Sequence, residues 1–557
     1  MKNSGKLTVR AGRQGGWLQK NKNGLLAFLA AMACLGAAYL LFGIRYQLND
    51  DAIISNIAAG AYGKDSQYLV YVNILVGWVL KGLYFVYGGV NWFVVLLLAG
   101  GVSCFAVLGQ LLMQKLGTRV GLPLFICFLV LAGLDFFHMF HYVKYAALFL
   151  ATGLALLAKG LGKWNARVLA GLLLAVLGSM LRFQQLFAVG GLSAAVLLWV
   201  FFTLPSKQKW RAAISVAALL ALAFGLKGID TLAYRQNAAW ASYTEFNEVR
   251  TDISDFRLQF AEGAQTLAPL GYTITDFEML DTWNYYDPQV FSTESLTEIV
   301  KVLPGNTVAA AAKQTVLAGA KLLYENPAGI LLGALLLCWV FVSGKKKWLA
   351  LLATLGVLVL QIFLLQYAGR YPNTISFSLA LSALVFCAFC FEKREKEQGQ
   401  SARVAALLSA VLVLCAIPAL LQTRQTAKQY WADKLPYEAE LVRQLAEGDA
   451  LYLVDVQLVD AANGYNVWQA RPAGYFSNIV FTGSWLMHSP FQQQALQNHG
   501  LANLYKDSLN RADVVYVETV YRQLKEDYLR QHYSPKAQLV RVQDGELFSK
   551  YRAQTAE

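Results

Sequence analysis

Two adjacent carboxylates, Asp50 and Asp51, stand in the stretch Leu48-Asn49-Asp50-Asp51-Ala52-Ile53-Ile54, directly after the first long apolar run of the chain. An ionised side chain at the mouth of a membrane helix costs up to roughly 3 kcal/mol if drawn inward, so a pair of them there marks chemistry. Two neighbouring acids in a poorly solvated mouth resist double ionisation. That raises one apparent pKa and suits the carboxylate to take a proton from a hydroxyl. The plainer alternative is that Asn49 or Asp50 N-caps the next helix, whose Ile53, Ile54, Ile57, Ala58 and Ala61 fall on one face. A cap uses one carboxylate and two are present, so both readings can hold.

Other polar residues gather at the turns that share a side with this pair. One turn holds Asp135, His138, His141 and Lys144 with tyrosines between them; the next holds Arg182-Phe183-Gln184-Gln185. A long polar loop supplies Arg250, Asp252 and Asp255, then Asp281, Trp283 and Asp287, and a later span ends in Tyr367-Ala-Gly-Arg370-Tyr371-Pro372. Each has a plain reading. His138 and His141 can bind a metal from one helix face or simply anchor an interface; Arg182 and Arg370 can be snorkelling boundary residues; Tyr and Trp make an aromatic belt. These readings leave unexplained why acids, arginines and histidines concentrate on one side while the loops of the other side are short and merely basic.

The elements that must position these residues are membrane helices. The 557 residues are 56% hydrophobic and 15% charged, too apolar and too long for one soluble core. The net charge of +13 is carried by a basic tail and short basic loops, as membrane orientation requires, so nucleic acid is not an expected partner. The cysteines lie inside apolar segments as small hydrophobes, and Cys387 and Cys390, despite redox spacing, have no charged neighbour to activate a thiol. Apolar spans are expected at 25–44, 91–113, 121–137, 145–158, 167–181, 185–203, 211–229, 328–343, 347–366, 374–391 and 403–421, about eleven in all. The apolar stretch 68–87 is expected not to cross. Leaving it on the outer side sends every later basic loop, from Lys115 and Arg119 to Lys393-Arg394, to the cytoplasmic side with the N-terminus.

Residues 1–24 then form a cytoplasmic basic tail, 25–421 a transmembrane domain, and 422–557 an extracytoplasmic α/β domain. Within the transmembrane domain, 45–90 is a first outer loop with non-crossing helices and 230–326 a large outer loop. That loop is expected to contain helices begun by the capping boxes Thr275-x-x-Glu278 and Ser295-x-x-Glu298, and an amphipathic helix at 309–324. The terminal domain is expected to have strands at 450–455 and 513–518, helices near 436–447 and 520–531, and a closing hairpin across Asp544-Gly545.

An acidic pair after the first span, a non-crossing outer hairpin, about eleven spans and an outer C-terminal domain resemble the GT-C class of membrane glycosyltransferases, in residues at Asn49-Asp50-Asp51. The pattern is similar to bacterial relatives of the protein mannosyltransferases and aminoarabinose transferases, which use a polyprenyl-phosphate sugar donor. The resemblance implies transfer of a sugar to a cell-envelope glycan, lipid or protein acceptor outside the cytoplasmic membrane. Asp50 would be the base, with Asp51 orienting the acceptor. A divalent metal, held by Asp50 or Asp51, is left open. Such chemistry needs cations for the departing phosphate, and arginine's planar fork donates two hydrogen bonds. Arg370 and Arg182 are best placed for it, followed by Lys144, Arg250 and His141, with Trp283 and Tyr285 as sugar-stacking candidates. The competing class is a transporter or flippase of a lipid-linked or anionic solute, which would place charges near the bilayer midplane. A non-catalytic envelope scaffold is the third reading.

Overall fold

The computed structural model describes residues 16–342, 347–391, 398–434, 445, 448–459, 466–545 and 548–556. Most of the basic tail, the loops at 343–346 and 392–397, and the helix expected near 436–447 lie outside the described residues, save Leu445.

Among the described residues nine helices are long and apolar enough to cross a membrane. A further pair, Val308–Tyr324 and Pro327–Trp339, meets at 86°. The break falls at Asn326-Pro327, where proline cannot continue a helix from the preceding residue and Asn326 Oδ1 accepts the Ala328 N–H at 3.0 Å. The expected spans all fall on helices, with two differences. Ala166–Leu181 has sixteen residues, which is about 24 Å of helix against a hydrocarbon core of about 30 Å, and the expected span at 328–343 belongs to the bent pair. Ile74–Val86 has thirteen residues, only about 20 Å, so the stretch expected not to cross is too short to do so straight.

Tyr142–Gly160 is the hub of the bundle, buried at every residue but Lys159. It packs closely on Ala166–Leu181 because glycine faces glycine. A Cβ on Gly153 would lie 2.6 Å from the Gly171 carbonyl oxygen, and one on Gly171 would lie 2.7 Å from that of Gly153. The first helix of this pair starts, and the second ends, at the same end of the bundle, so Tyr142 and Arg182 become neighbours. The basic residues Lys159 and Arg167 mark the opposite end of the same two helices.

Two strand fragments, β1 (Arg45–Tyr46) and β2 (Met139–Phe140), pair in parallel. Gln47 N–H extends the ladder to the Phe140 carbonyl at 2.8 Å. This register carries the chain leaving the first span across the start of the hub helix, and the helix Asn49–Ala59 follows at once. Neither Asn49 nor Asp50 caps that helix: Leu48 holds the cap position with no side-chain bond, and both acids sit in the first turn. There they oppose the positive end of the helix dipole instead.

The last part of the chain forms a five-stranded sheet, in order β4 (Ile479–Phe481), β3 (Leu451–Val454), β5 (Val514–Glu518), β7 (Ser549–Thr555), β6 (Ala537–Gln543). β4, β3 and β5 run parallel; β5–β7 and β7–β6 run antiparallel. The strands at 450–455 and 513–518, the helix at Arg522–His532 and the hairpin β6–β7 lie where expected. The central strands are buried throughout, as near-continuous Val, Leu and Tyr runs require. Two capping boxes need correction. Thr273, not Thr275, caps Ile274–Asp281, bonding Asp276 N–H while the Asp276 carboxylate accepts Thr273 N–H at 2.8 Å. Ser292, not Ser295, caps Thr293–Val302, and starting there buries Leu296 and Ile299 together.

Candidate active site

At the end of the bundle where Tyr142 and Arg182 meet lies a cavity of about 330 Å³. Three parts of the chain wall it: helix ends and their turns (Asp50, Tyr71, Arg182, Arg370), the long loop (Arg250, Asp255, Trp283), and the sheet (Val456, Val459, Gly483 to Trp485). Of the residues singled out in the sequence, Asp50, Arg182, Arg250, Arg370 and Trp283 come together here. Asp51, His141 and Lys144 do not line it.

The acids diverge because they are adjacent on a helix, where neighbours point about 100° apart. Asp50 is half-buried at the cavity wall, and its Oδ1 accepts the indole N–H of Trp485 at 3.0 Å. Asp51 is fully buried and turned inward, its Oδ1 accepting the Tyr142 main-chain N–H at 2.6 Å. Burial pushes the Asp50 carboxyl above its ordinary value, while Arg182, Arg370 and the Trp485 bond hold it down. Burial pushes Asp51 up much further, opposed by the Tyr142 bond and reinforced by Asp50. The Asp51 Oδ2 atom is buried without a hydrogen-bond partner, 3.8 Å from His141 Nδ1. That nitrogen accepts the Val143 N–H at 3.2 Å, so its lone pair is taken up by the start of the hub helix and it offers the acid no proton. Burial, with Lys144 and Arg182 nearby, pushes His141 well below its ordinary value and keeps it neutral.

His141 and Lys144 were expected at an outer turn among the cations that meet the phosphate; burial of the hub helix on all sides places them inside, away from the cavity. Lys144 is 1% exposed, 3.8 Å from Asp135 and over the Phe377 ring at 5.2 Å. His138 turns to the Gly43 carbonyl at 2.8 Å instead of pairing with His141. Tyr285 is also corrected: it is fully buried with its hydroxyl on Ser254 at 2.6 Å, out of reach of a sugar.

The three arginines differ in how they are held. The Arg182 guanidinium lies 4.9 Å from the Tyr71 ring centre and donates to the Tyr142 hydroxyl at 3.3 Å. Arg370, 44% exposed, pairs with Asp255. Arg250 is 1% exposed and fixed by Asn247 at 2.9 Å and Thr251 at 2.8 Å, with its Nη1 buried and without a hydrogen-bond partner. Its guanidinium lies over the Trp283 ring at 5.1 Å. With Asp50 and Asp255 ionised, three guanidinium groups leave one positive charge in excess, so the cavity attracts an anion.

A divalent cation does not fit these donors. Among the described residues no three His, Cys, Asp or Glu side chains converge on one point. Asp50 and Asp51 face different ways, and an ion at Asp50 would stand among the guanidinium groups.

Tyr71, Asp255 and Trp485 complete the cavity. Asp255 was visible only as one acid among several in the loop, and Tyr71 reads as a belt residue. Trp485 had a signal: it follows β4 by four residues, and Val456 follows β3 by two. Loops beyond the carboxyl ends of adjacent parallel strands are where such sheets bind ligands.

No family model matches the chain, and no curated protein matches it in sequence. Among solved structures it is similar to the crystal structure of ArnT from Cupriavidus metallidurans bound to undecaprenyl phosphate. The likeness has 12% sequence identity and a TM-score of 0.40, over 95% of this chain and 97% of that one.

Proposed function

We propose that this chain is a membrane glycosyltransferase that moves a sugar from a polyprenyl-phosphate donor to a hydroxyl of an envelope glycan, lipid or protein outside the cytoplasmic membrane. The observation that carries the reading is that Asp50, a carboxylate with no ion pair to an arginine among the described residues, shares with three guanidinium groups and the Arg370-paired Asp255 a single cavity at the ends of membrane helices. Asp50 takes the proton of the acceptor hydroxyl as its oxygen bonds to the anomeric carbon. The bond from that carbon to the phosphate oxygen breaks, and Arg182, Arg250 and Arg370 meet the growing phosphate charge. Attack opposite the leaving group inverts the anomeric centre. Trp283 offers an indole for sugar contact, and the apolar faces of the neighbouring spans suit a polyprenyl tail.

The test is the lipid-linked sugar pool of cells lacking the gene. A polyprenyl-phosphate sugar should accumulate, and a plasmid carrying the wild-type chain, but not Asp50→Asn, should clear it. Accumulation confined to the inner leaflet would favour a flippase and overturn the transferase. An unchanged pool would sink the donor class.

A further inference from the structure

The sheet reaches the acid across 435 residues of sequence, through a single hydrogen bond from Trp485 Nε1 to Asp50 Oδ1 at 3.0 Å. The loop that carries Trp485 is held from several directions. Tyr243 donates its hydroxyl to the Trp485 carbonyl at 2.6 Å, and the Tyr71 ring meets the indole edge-on at 5.0 Å. Thr482 hydrogen-bonds to Asn284 at 3.1 Å, next to Trp283 in the long loop. Gly483 lies flat against that loop, where a Cβ would come within 2.3 Å of the Trp283 carbonyl oxygen. A tryptophan 5% exposed, with its only polar atom aimed at a cavity carboxylate, is placed with more restraint than packing demands.

We infer that Trp485 is a positioning residue for Asp50: its indole N–H occupies one carboxylate oxygen, fixes the plane of the group and leaves the other oxygen to take the acceptor proton. The inference rests on the reading of Asp50 as the base. It assigns the sheet a part in the reaction, since a carboxylate free to rotate would meet the acceptor hydroxyl in fewer productive orientations. The charged and titratable groups facing Asp50 are Arg182 and Arg370 from turns at helix ends, Arg250 and Asp255 from the long loop, Asp51 on its own helix, and the phenols of Tyr71 and Tyr142. None of these is removed by changing Trp485, and an analogue of the indole's shape also keeps the burial of Asp50, so a change in Asp50 titration in that analogue reports the one bond.

The experiment follows the carboxyl C=O stretch of Asp50 against pH by infrared difference spectroscopy. It uses the full chain in lipid nanodiscs, with the band assigned by its loss in Asp50→Asn. Donation from Trp485 favours the ionised acid, so its removal should raise the protonation midpoint by about one pH unit. The shift is expected in Trp485→Phe and in the chain carrying 3-benzothienylalanine at position 485, an analogue that keeps the indole's shape and replaces N–H with sulfur. A midpoint unmoved in both, with Asp50→Asn inactive in transfer, would overturn the role of Trp485 and leave the base standing. A shifted midpoint with Asp50→Asn fully active would remove the base, and with it any positioning role.

Discussion

The Tyr142 main-chain N–H lies 2.6 Å from Asp51 Oδ1, and this bond turns the second acid of the pair away from the cavity that the first one lines. Tyr142 is the first residue of the hub helix, so its N–H has no partner within that helix and Asp51 supplies one. Across the same residue, the Tyr142 hydroxyl accepts from Arg182. One tyrosine thus sets the direction of an acid with its backbone and of a cation with its side chain.

The acids should therefore separate by experiment. Asp50→Asn is expected to lower sugar transfer by about a hundredfold to ten thousandfold with an unchanged thermal midpoint. Asp51→Asn keeps an oxygen for the Tyr142 N–H and should retain most activity. Asp51→Leu leaves that N–H unpaired and should lose roughly 1–3 kcal/mol of stability. A dead Asp51→Asn beside an active Asp50→Asn would exchange their roles.

Among the arginines, Arg182 is expected to be the more sensitive to lysine. A lysine cannot hold the Tyr142 hydroxyl, the Tyr71 face and a phosphate oxygen at once. Arg182→Lys should reduce kcat/KM for the lipid-linked donor by at least about tenfold, or ~1.4 kcal/mol. Arg370→Lys, still able to pair with Asp255, should lose less. Equal and small effects in both would return these residues to the role of boundary anchors.

How much of this could be read in advance follows from distance along the chain and from burial. Asp50, Arg182 and Arg370 were legible because a charge beside an apolar span is rare and needs a reason. Gly483 and Tyr71 were not, and Trp485 was marked only by its place beyond the end of a parallel strand, because a tryptophan in a distant loop carries no mark of the carboxylate it will meet. His141 and Lys144 misled because polarity reads as exposure, and nothing local says that Tyr142–Gly160 is enclosed on every side. The shifted caps have a simpler cause: Thr273-x-x-Asp276 and Thr275-x-x-Glu278 both satisfy the capping pattern, and tertiary packing chose between them.

The sheet carries its own pH response. Lys525 Nζ stands 2.5 Å from Glu518 Oε1 with both side chains buried, and burial together with Asp455 pushes Glu518 up to about 7 against Lys525. Between the ordinary value of 4.5 and about 7 the folded chain holds a proton that the unfolded chain has released, so stability falls as pH rises through this window. The slope is at most about 1.4 kcal/mol per pH unit. Glu518→Gln should flatten it in thermal unfolding of the full chain; an unchanged slope would place its source elsewhere.

Orientation is open to direct labelling. Cysteines introduced at Ser477 and Ser206 would both be exposed on the protein surface. In intact cells, and in a background without the exposed Cys415, a membrane-impermeant maleimide should reach position 477 and miss position 206. The reverse pattern would put the cavity on the cytoplasmic side.

The bond between Asp50 and Trp485 also sets a schedule for biogenesis. The acid is made early and its partner 435 residues later, which at about 5–20 residues per second is an interval of roughly 20–90 s. Through that interval the nascent chain holds its membrane helices without the wall that Val456, Gly483 and Trp485 provide. A chain halted before residue 485 is left with a carboxylate that is open on one side and lacks the indole bond.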